Sequence, residues 1–528
     1  MFKISKYFTV IATVLVGLFS SCSDRFLDTE LTGGTVSQEQ YENNPNSLTA
    51  HVNGLYSLMR AYGGGHDLFG QRSIDIKTDM MCADMAMLTG NYGWFVVDAQ
   101  MMQAGYSQLG SYLWSYYYRI IKNANKILQT KKVEYLDEAP TNVEEQIKAN
   151  LYGQALAMRG WAYYNLAVYF GTNQVGGTSS TDILGKDCVP VYYEFDSEDE
   201  AKPLEKADYV LKAADRDLNK AMAYMQYYEN NTAAYKRIHK TGIDSDIARV
   251  ILAYSKMYRA SKSIAFDVSN ICDTVILLCQ EVIDRGRYKI LPLNRVLETG
   301  FNSVSNEDWM WAQDVTIETA GGLASFWGQV DIFTYSYAAA GATKAIDQTL
   351  WESIPSTDRR KPWFNTDFQV GRYRLAPTWK FYDKARILQG DRIWTNDDVF
   401  MRFSEVYLLA AEAAAYKQDV ALAAQYLKSL VEQRDETVAP TLASMNLEQI
   451  VNQILFNWRV EMWGEGKSYF TMLRMFDYGI DLGINFNTNR TAGQNHRYIK
   501  NDVVSAYDFE KTILFIPSAE LIRNPHIN

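Results

Sequence analysis

The stretch "YLLAAEAAAYKQDVALAAQYLKSL", residues 407–430, indicates how this chain folds. Two apolar helical patterns follow one another with only the short polar link "KQD" between them. Ala411 and Ala423 lie twelve residues apart, and Leu427 follows four residues later. Small residues at such positions let two antiparallel helices approach closely. The stretch therefore predicts a tightly packed helical pair.

Helical patterns also dominate the rest of the chain, and they occur at residues 47–62, 112–128, 143–170, 204–227, 247–260, 268–285, 402–416, 420–434 and 447–476. The pairing with short links resembles the tetratricopeptide repeat (TPR), although the repeat period is poorly kept. We predict an all-α, TPR-like scaffold with minor β structure, and generic helical packing is the alternative.

Two long segments lack a clear helical period. Residues 63–108 are rich in Gly, Asp and Met, and residues 286–399 mix short strand-like runs such as "WMWAQ" with Gly, Pro and Trp. Long irregular loops inside a compact domain are usually functional. We therefore interpret both segments as ligand-binding loops on one helical domain spanning residues 22–528.

The overall charge argues against a nucleic-acid partner. The 528 residues carry a net charge of −10, with a pI of about 5.2. A nucleic-acid-binding protein needs a basic face to contact phosphates. Aromatic residues make up 13% of the chain, with 36 Tyr and 12 Trp, and such rings suit surfaces that bind amphipathic ligands.

The N-terminus has the features of a bacterial lipoprotein signal. Lys3 and Lys6 precede an apolar run at 7–19, which is too short to span a bilayer, and two serines lead to Cys22. Residues 1–21 are therefore predicted to be a signal peptide and Cys22 the lipidated first residue of the mature protein. An ordinary secretory signal cleaved nearby is the alternative.

The remaining cysteines are Cys82, Cys188, Cys272 and Cys279, and they show no CxxC spacing. Cys272 and Cys279 lie seven residues apart on one predicted helix, which is too far for a disulfide within that helix. We expect buried, inert thiols.

No catalytic or cofactor motif is present. The five histidines lack a metal-ligand spacing, and the chain contains no GxGxxG, Walker or GxSxG motif, so neither a metal nor a cofactor is expected. "AYGGGHDLFG" indicates a flexible turn. Glu461 and Glu465 share a predicted helical face with Arg459 and Lys467 nearby, which favours structural ion pairs over acid–base catalysis.

Residues suited to ligand binding concentrate in the two irregular segments. "QRSIDIKTDMMCADMAMLTGNYGWFVV" (71–97) and "ETAGGLASFWGQVDIFTYSY" (318–337) combine aromatic rings with Asp, Asn and Arg. Aromatic faces stack on sugar rings, and the polar groups hydrogen-bond hydroxyls. The predicted ligand-binding residues are Arg72, Asp75, Asp79, Asn91, Tyr92, Trp94, Trp327, Tyr335 and Tyr337. For each aromatic residue, packing within a loop is the alternative.

Several blocks, in this order, resemble the SusD/RagB family of nutrient-uptake lipoproteins of Bacteroidetes outer membranes. "CSDRFLDTELTGG" follows the family's lipidated cysteine and "FLD" element, and "GQALAMRGWAYYNLAVYFG" and "VFMRFSEVYLLAAEAAA" are similar to two family helices. "NWRVEMWGEGKSYFTMLRM" matches a further block, except that Lys467 and Thr471 replace Arg and Asp. The tail "FIPSAELIRNPHIN" is similar to the family's closing signature.

The resemblance implies an all-α scaffold of TPR-like units anchored by lipid on the outer face of the outer membrane. It also implies a SusC-like TonB-dependent transporter as partner and an oligosaccharide as ligand, without enzymatic activity. The family's ligand residues vary among members, so none is carried over. Three alternatives stay open: peptide capture as in the RagB branch, a surface glycoside hydrolase, and a TPR protein that only scaffolds other proteins.

Overall fold

The computed structural model describes residues 45–88, 92–99, 107–129, 139–171, 183–194, 201–231, 240–263, 268–364, 373–387, 390–481, 497–498, 503–504 and 513–527. A compact body extends from Val52 to Asn528, and all contacts below belong to it. Cys22 and Asn91 lie outside the described residues, so lipidation of Cys22 and the division at residues 21 and 22 stay predictions.

The body is mainly helical, as predicted. The helices are α1 (Pro45–Leu58), α2 (Gln71–Met81), α3 (Val96–Ala99), α4 (Ser107–Gln129), α5 (Val143–Phe170), α6 (Ala207–Asn231), α7 (Ser245–Ser261), α8 (Val268–Asp284), α9 (Phe326–Val330), α10 (Gln348–Ser353), α11 (Phe403–Tyr416), α12 (Val420–Val431), α13 (Leu447–Glu461), α14 (Ser468–Asp481) and α15 (Ser518–Arg523). None of these described helices combines the length and apolarity needed to cross a membrane.

Successive long helices pack on one another, which confirms the prediction of helical pairs. Helix α5 packs against α4 and α6, α7 packs against α6 and α8, and α11 packs against α8 and α12. In the α11–α12 pair, Ala411, Ala423 and Leu427 are fully buried. The small residues therefore lie inside the helix pair, as their spacing predicts.

Two glycines allow α5 and α6 to approach even more closely. A Cβ on Gly160 would lie 2.9 Å from Cγ of Leu218 and 3.0 Å from the carbonyl oxygen of Ala214. A Cβ on Gly153 would lie 3.0 Å from the carbonyl oxygen of Ala221. Since real Cβ atoms are rarely found so close to other atoms, glycine at these positions sets the distance between the helices.

The β structure consists of short antiparallel pairs. β1 (Met85–Met87) pairs with β5 (Lys344–Ile346), and β4 (Trp309–Gln313) pairs with β6 (Asp398–Arg402). β2 (Asp187–Val189) pairs with β3 (Glu205–Lys206), and β7 (Arg497–Tyr498) pairs with β8 (Val503–Val504). The β1–β5 pair joins the two segments that we interpreted as loops, and a shared core of buried aromatic and aliphatic residues lies beneath them.

The segment at 63–108 is not wholly irregular, because it contains helix α2. Every residue of α2 is buried, including Arg72, Asp75, Lys77 and Asp79. Buried polar and charged residues interrupt its apolar pattern, so the sequence shows no clear helical period there. The sequence-based interpretation as loop was therefore wrong for residues 71–81.

Two turn glycines divide the predicted helix at 447–476 into α13 and α14. Gly464 and Gly466 have φ values of 79° and 70°, a left-handed conformation that interrupts a helix. Glu465 therefore lies in the turn, whereas Glu461 ends α13. Both carboxylates do form structural ion pairs, each 2.8 Å from Arg402, and all three side chains are almost completely buried. The expected neighbours were wrong, because Arg459 pairs with Asp84 and Lys467 with Glu405.

The four described cysteines are buried and none of them forms a disulfide, which confirms the expectation of buried thiols. Burial raises the pKa of Cys272 to about 12 and shifts that of Cys279 upward as well. A thiol that stays protonated is a poor nucleophile, so these cysteines are unreactive.

Candidate functional site

Three of the predicted binding residues belong to α2 and lie in the interior. Arg72 is 1% exposed, pairs with Asp75 at 2.6 Å, and stacks its guanidinium carbon 3.8 Å from the ring centroid of Phe326. Burial raises the pKa of Asp75 to about 6, although Arg72 and Lys467 oppose this shift. These groups hold α2 against its neighbours and are not open to a ligand.

Asp79 and the neighbouring Asp84 connect α2 and β1 to the turn after α13. Asp79 accepts a hydrogen bond from the Gly464 amide at 2.5 Å, and Asp84 lies 2.7 Å from the Arg459 guanidinium. Burial, together with the nearby carboxylate of Asp84, raises the pKa of Asp79 well above its usual range. The arrangement is structural, because both carboxylates are fully buried.

Trp327 is also an interior residue. It lies on α9, is 2% exposed, and makes edge contacts with Phe326 and Phe381. Its ring therefore packs in the core, which is the alternative that the sequence left open for each aromatic residue.

Tyr92, Trp94 and Tyr337, in contrast, come together at the surface. The Trp94 indole N–H donates to the Tyr337 hydroxyl at 3.1 Å, and the Tyr92 and Tyr337 ring centroids are 5.1 Å apart. His66 stacks on Trp94 with the two ring planes 13° apart, and Tyr62 contacts the edge of His66. We call this set the aromatic platform: Tyr62, His66, Tyr92, Trp94 and Tyr337.

The aromatic platform is open to solvent. Tyr62 is 58% exposed and Tyr92 is 49% exposed, while the other three rings are half-buried. The Tyr337 hydroxyl lies 2.8 Å from Nδ1 of His66 while it accepts from Trp94, so one hydroxyl connects two rings. The platform therefore presents fixed ring faces beside polar edge atoms.

Buried polar groups support the platform from below. Gln329 on α9 donates its side-chain amide to the His66 carbonyl oxygen at 2.8 Å and accepts from Lys344 Nζ at 2.9 Å. Lys344 lies on β5 and is fully buried. Burial lowers the pKa of Lys344 to about 7, against the opposing attraction of Asp67.

His66, Tyr62 and Gln329 were not predicted as site residues. His66 and Tyr62 flank three glycines in "YGGGH", which the sequence presents as a flexible turn. The turn is closed by a 2.7 Å hydrogen bond from the Gly63 amide to the Leu68 carbonyl oxygen. In the sequence, a tyrosine and a histidine beside a glycine turn were the signal that could have indicated this site. No local pattern indicates that Trp94 and Tyr337 contact them.

Tyr335 lies two residues before Tyr337 and is 44% exposed. The guanidinium carbon of Arg392 lies 4.2 Å from its ring centroid. Tyr335 is thus a surface residue beside the platform, although no described ring contact joins the two.

A cavity elsewhere in the body is too small for a sugar. It measures about 40 Å³ and is lined by Asp75, Tyr164, Tyr254 and Lys467, among others. Small-molecule sites usually measure about 300–1,000 Å³, whereas one water needs far less space. In the described part of the chain, no group of three or more His, Cys, Asp or Glu side chains is placed to hold a metal ion.

Comparison with known proteins gives matches by sequence family and by fold. Residues 326–528 match the model of the SusD family, and residues 70–252 match a family described as starch-binding and associating with the outer membrane. No curated protein sequence gave a significant match.

Solved structures from Bacteroides share the fold along nearly the whole chain. A SusD-like carbohydrate binding protein from Bacteroides vulgatus is 19% identical, with a TM-score of 0.65 over 92% of this chain and 97% of that one. A SusD superfamily protein from Bacteroides thetaiotaomicron is 18% identical, with a TM-score of 0.67 over 92% and 99%.

Surface glycan-binding protein A from Bacteroides uniformis is 17% identical, with a TM-score of 0.61 over 92% of this chain and 99% of that one. At such identities the likeness shows the fold alone. The two family models, however, match separate parts that together exceed half of the sequence. The chain therefore belongs to the SusD/RagB family.

Proposed function

We propose that this protein binds an oligosaccharide at the aromatic platform. The observation that carries the proposal is the convergence of five aromatic side chains from two distant segments on one solvent-open surface. His66 and Trp94 lie nearly parallel at 5.4 Å, while Tyr62 and Tyr92 are the most exposed rings of the platform. Ring faces of this kind stack on the apolar faces of sugars, and the nearby hydroxyl and imidazole groups hydrogen-bond sugar hydroxyls.

The proposal includes a cellular role in nutrient uptake. The chain acts as a lipoprotein anchored through Cys22 to the outer face of the outer membrane, where it delivers its ligand to a SusC-like TonB-dependent transporter. The lipoprotein features at residues 1–22 support this role, as does the matched family described as associating with the outer membrane.

We propose binding without catalysis. A glycosidase needs two carboxylates that face the sugar, one of which donates or accepts a proton. Burial alone would raise the pKa of Glu461, but Arg434 and Arg402 outweigh that effect and hold the pKa well below its usual range. Glu461 is also fully buried, so it does not reach a sugar, and with so low a pKa it carries no proton to donate near neutral pH.

A glycan array on protein produced without residues 1–22 tests the proposal. We expect binding to one class of glycan, and Trp94→Ala and Tyr92→Ala should each weaken it. Losing one stacked ring costs about 1–3 kcal/mol, or roughly 5- to 150-fold in affinity. Tyr209→Ala is a matched control, because it removes an exposed tyrosine from α6, outside the platform.

Unchanged affinity in both platform variants would place the ligand elsewhere. New reducing ends after incubation with the bound glycan would contradict the proposal that the protein is not an enzyme. Binding to peptides, with none to glycans, would favour the RagB-like alternative.

A further inference from the structure

Two arginines beside the aromatic platform stack on aromatic rings. Arg392 is exposed and lies over Tyr335, with 4.2 Å from its guanidinium carbon to the ring centroid. Arg386 lies between Tyr382 at 3.6 Å, Trp379 at 4.3 Å and Phe333 at 5.0 Å. We call this set the arginine patch: Arg386 and Arg392 with Phe333, Tyr335, Trp379 and Tyr382.

Neither guanidinium of the patch forms an ion pair with a carboxylate in the described part of the chain, although Asp and Glu outnumber Lys and Arg by 62 to 52. Most buried arginines, such as Arg360, Arg402 and Arg434, do have carboxylate partners. Arg386 donates one bond to the Thr378 carbonyl oxygen, and its buried Nε has no hydrogen-bond partner. Because no described carboxylate neutralises either guanidinium, the patch has unused capacity to bind an anion.

Buried polar groups hold the two loops that form the patch. Asp331 is fully buried and accepts hydrogen bonds from the Trp394 indole and the Thr334 amide, each at 3.0 Å. Asp383 accepts from the Thr334 hydroxyl at 3.0 Å and from the Asn396 amide at 2.9 Å. These bonds fix residues 331–334 against Asp383, Trp394 and Asn396, so the arginines are positioned before a ligand arrives.

The patch is continuous with the aromatic platform along the chain. Phe333 and Tyr335 belong to the patch, and Tyr337 belongs to the platform. Because consecutive Cα atoms are about 3.8 Å apart, the Cα atoms of Tyr335 and Tyr337 lie no more than about 7.6 Å apart. One extended ligand can therefore contact both.

We infer that the ligand is an acidic oligosaccharide whose rings stack on the aromatic platform while its carboxylate or sulfate groups bind Arg386 and Arg392. This inference rests on the proposed function. A guanidinium pairs with a carboxylate or sulfate through two parallel N–H bonds, and stacking on a ring orients it for this at little entropic cost.

Paired probes that differ only in charge test the inference. Oligogalacturonate is compared with its methyl ester, and dextran sulfate with dextran, by calorimetry on the purified protein. We expect at least one acidic probe to bind on the order of tenfold more tightly than its neutral partner. The preference should weaken as salt rises from 50 to 500 mM, because salt screens charge attraction. Which pair shows the preference identifies carboxylate or sulfate as the group recognised.

Variants then assign the preference to the patch. Arg392→Gln and Arg386→Gln should each reduce acidic-probe affinity on the order of tenfold, and Arg386→Lys should restore part of the loss. Arg216→Gln is the matched control, because Arg216 is an exposed arginine on α6, outside the patch. Its guanidinium carbon lies 4.2 Å from the Tyr193 ring centroid, the same distance as between Arg392 and Tyr335. This substitution should leave the affinity for the acidic probe unchanged.

The outcomes separate the two proposals. If neutral glycans bind as tightly as acidic ones, and both arginine variants bind like the wild type, the inference is overturned while the proposed function stands. The patch would then be better explained as a contact for a protein. If no glycan of either charge binds, the proposed function fails as well.

Discussion

Lys344 is a buried cation at the base of the aromatic platform. Its Nζ donates to the Gln329 side chain and to the Ala342 carbonyl oxygen, and Gln329 in turn holds the His66 backbone. The ammonium also lies 5.0 Å from the ring centroid of Phe95. One side chain thus supports the turn that carries His66.

The low pKa of Lys344 predicts how stability depends on pH. Burial lowers its pKa to about 7 in the folded protein, whereas an unfolded lysine has a pKa of about 10.4. Between these values the unfolded chain binds the proton and the folded chain does not, so raising the pH favours the folded state. Lys344 should therefore add up to about 1.4 kcal/mol of stability per pH unit in this window.

Lys344→Met should remove this increase of stability with pH, since methionine keeps the length of the side chain without the charge. Urea unfolding at several pH values between 7 and 10 measures the slope for both proteins. Burial also lowers the pKa of Lys380, to about 8, so Lys380 contributes to the slope of both proteins. The difference between the two slopes is therefore the diagnostic quantity. Identical slopes would mean that Lys344 keeps its proton in the folded state.

Local sequence did not distinguish surface positions from core positions among the candidate site residues. Tyr92, Trp94, Tyr335 and Tyr337 lie at the surface, while Arg72, Asp75, Asp79 and Trp327 are buried. All were chosen for residue type in glycine-rich surroundings, and type does not specify burial. An arginine and an aspartate can be buried once each neutralises the other, as Arg72 and Asp75 do at 2.6 Å.

Among the elements, the long helices were the most predictable. Helix α5 has the predicted bounds, and α7, α8, α11 and α12 begin and end within about three residues of prediction. Helices α8 and α12 bury one face, so its period is visible in the sequence. Helices α5, α7 and α11 are buried on nearly all sides, and they are visible as long runs of apolar and helix-forming residues. Helix α2 was missed because most of its buried residues are polar or charged, and the β1–β5 pair because it joins residues more than 250 positions apart.

Substitution by alanine should have opposite effects on stability at two helical glycines, Gly160 in α5 and Gly54 in α1. At Gly160, alanine would crowd Leu218 and the Ala214 carbonyl oxygen, and such overpacking costs about 1–3 kcal/mol. At Gly54 in α1, no atom lies within 4 Å of the added Cβ. Alanine there gains the helix propensity that glycine lacks, about 1 kcal/mol.

Gly160→Ala should therefore lower the urea midpoint of unfolding, and Gly54→Ala should raise it slightly. Gly54→Ala acts as the control, because the chemical change is the same and only the surroundings differ. An increase at both positions would show that α5 and α6 can separate enough to accept a methyl group, and would contradict close packing as the reason for glycine at 160.

At the scale of the whole molecule, the proposed anchor and the binding surface are separate in sequence and in chemistry. Cys22 belongs to the N-terminal lipoprotein pattern, whereas the aromatic platform is assembled from segments near residues 62–94 and 337. A helical scaffold that fixes distant loops to one another can vary its surface rings without altering its core. Binding and attachment should accordingly be separable by mutation.

Two single variants test this separation in bacteria. Cys22→Ala removes the thiol that carries the lipid, so the protein should leave the membrane fraction while its purified form keeps full glycan affinity. Trp94→Ala should stay in the membrane fraction, because the anchor is intact, but lose roughly 5- to 150-fold in affinity. Fractionation followed by immunoblotting measures the first property and calorimetry the second.

If Cys22→Ala stayed with the membrane, some other part of the chain would hold it there. If Trp94→Ala lost both properties, the substitution would have damaged the fold. Only the crossed result, in which each variant loses one property and keeps the other, fits a tethered body that captures sugar through its surface rings.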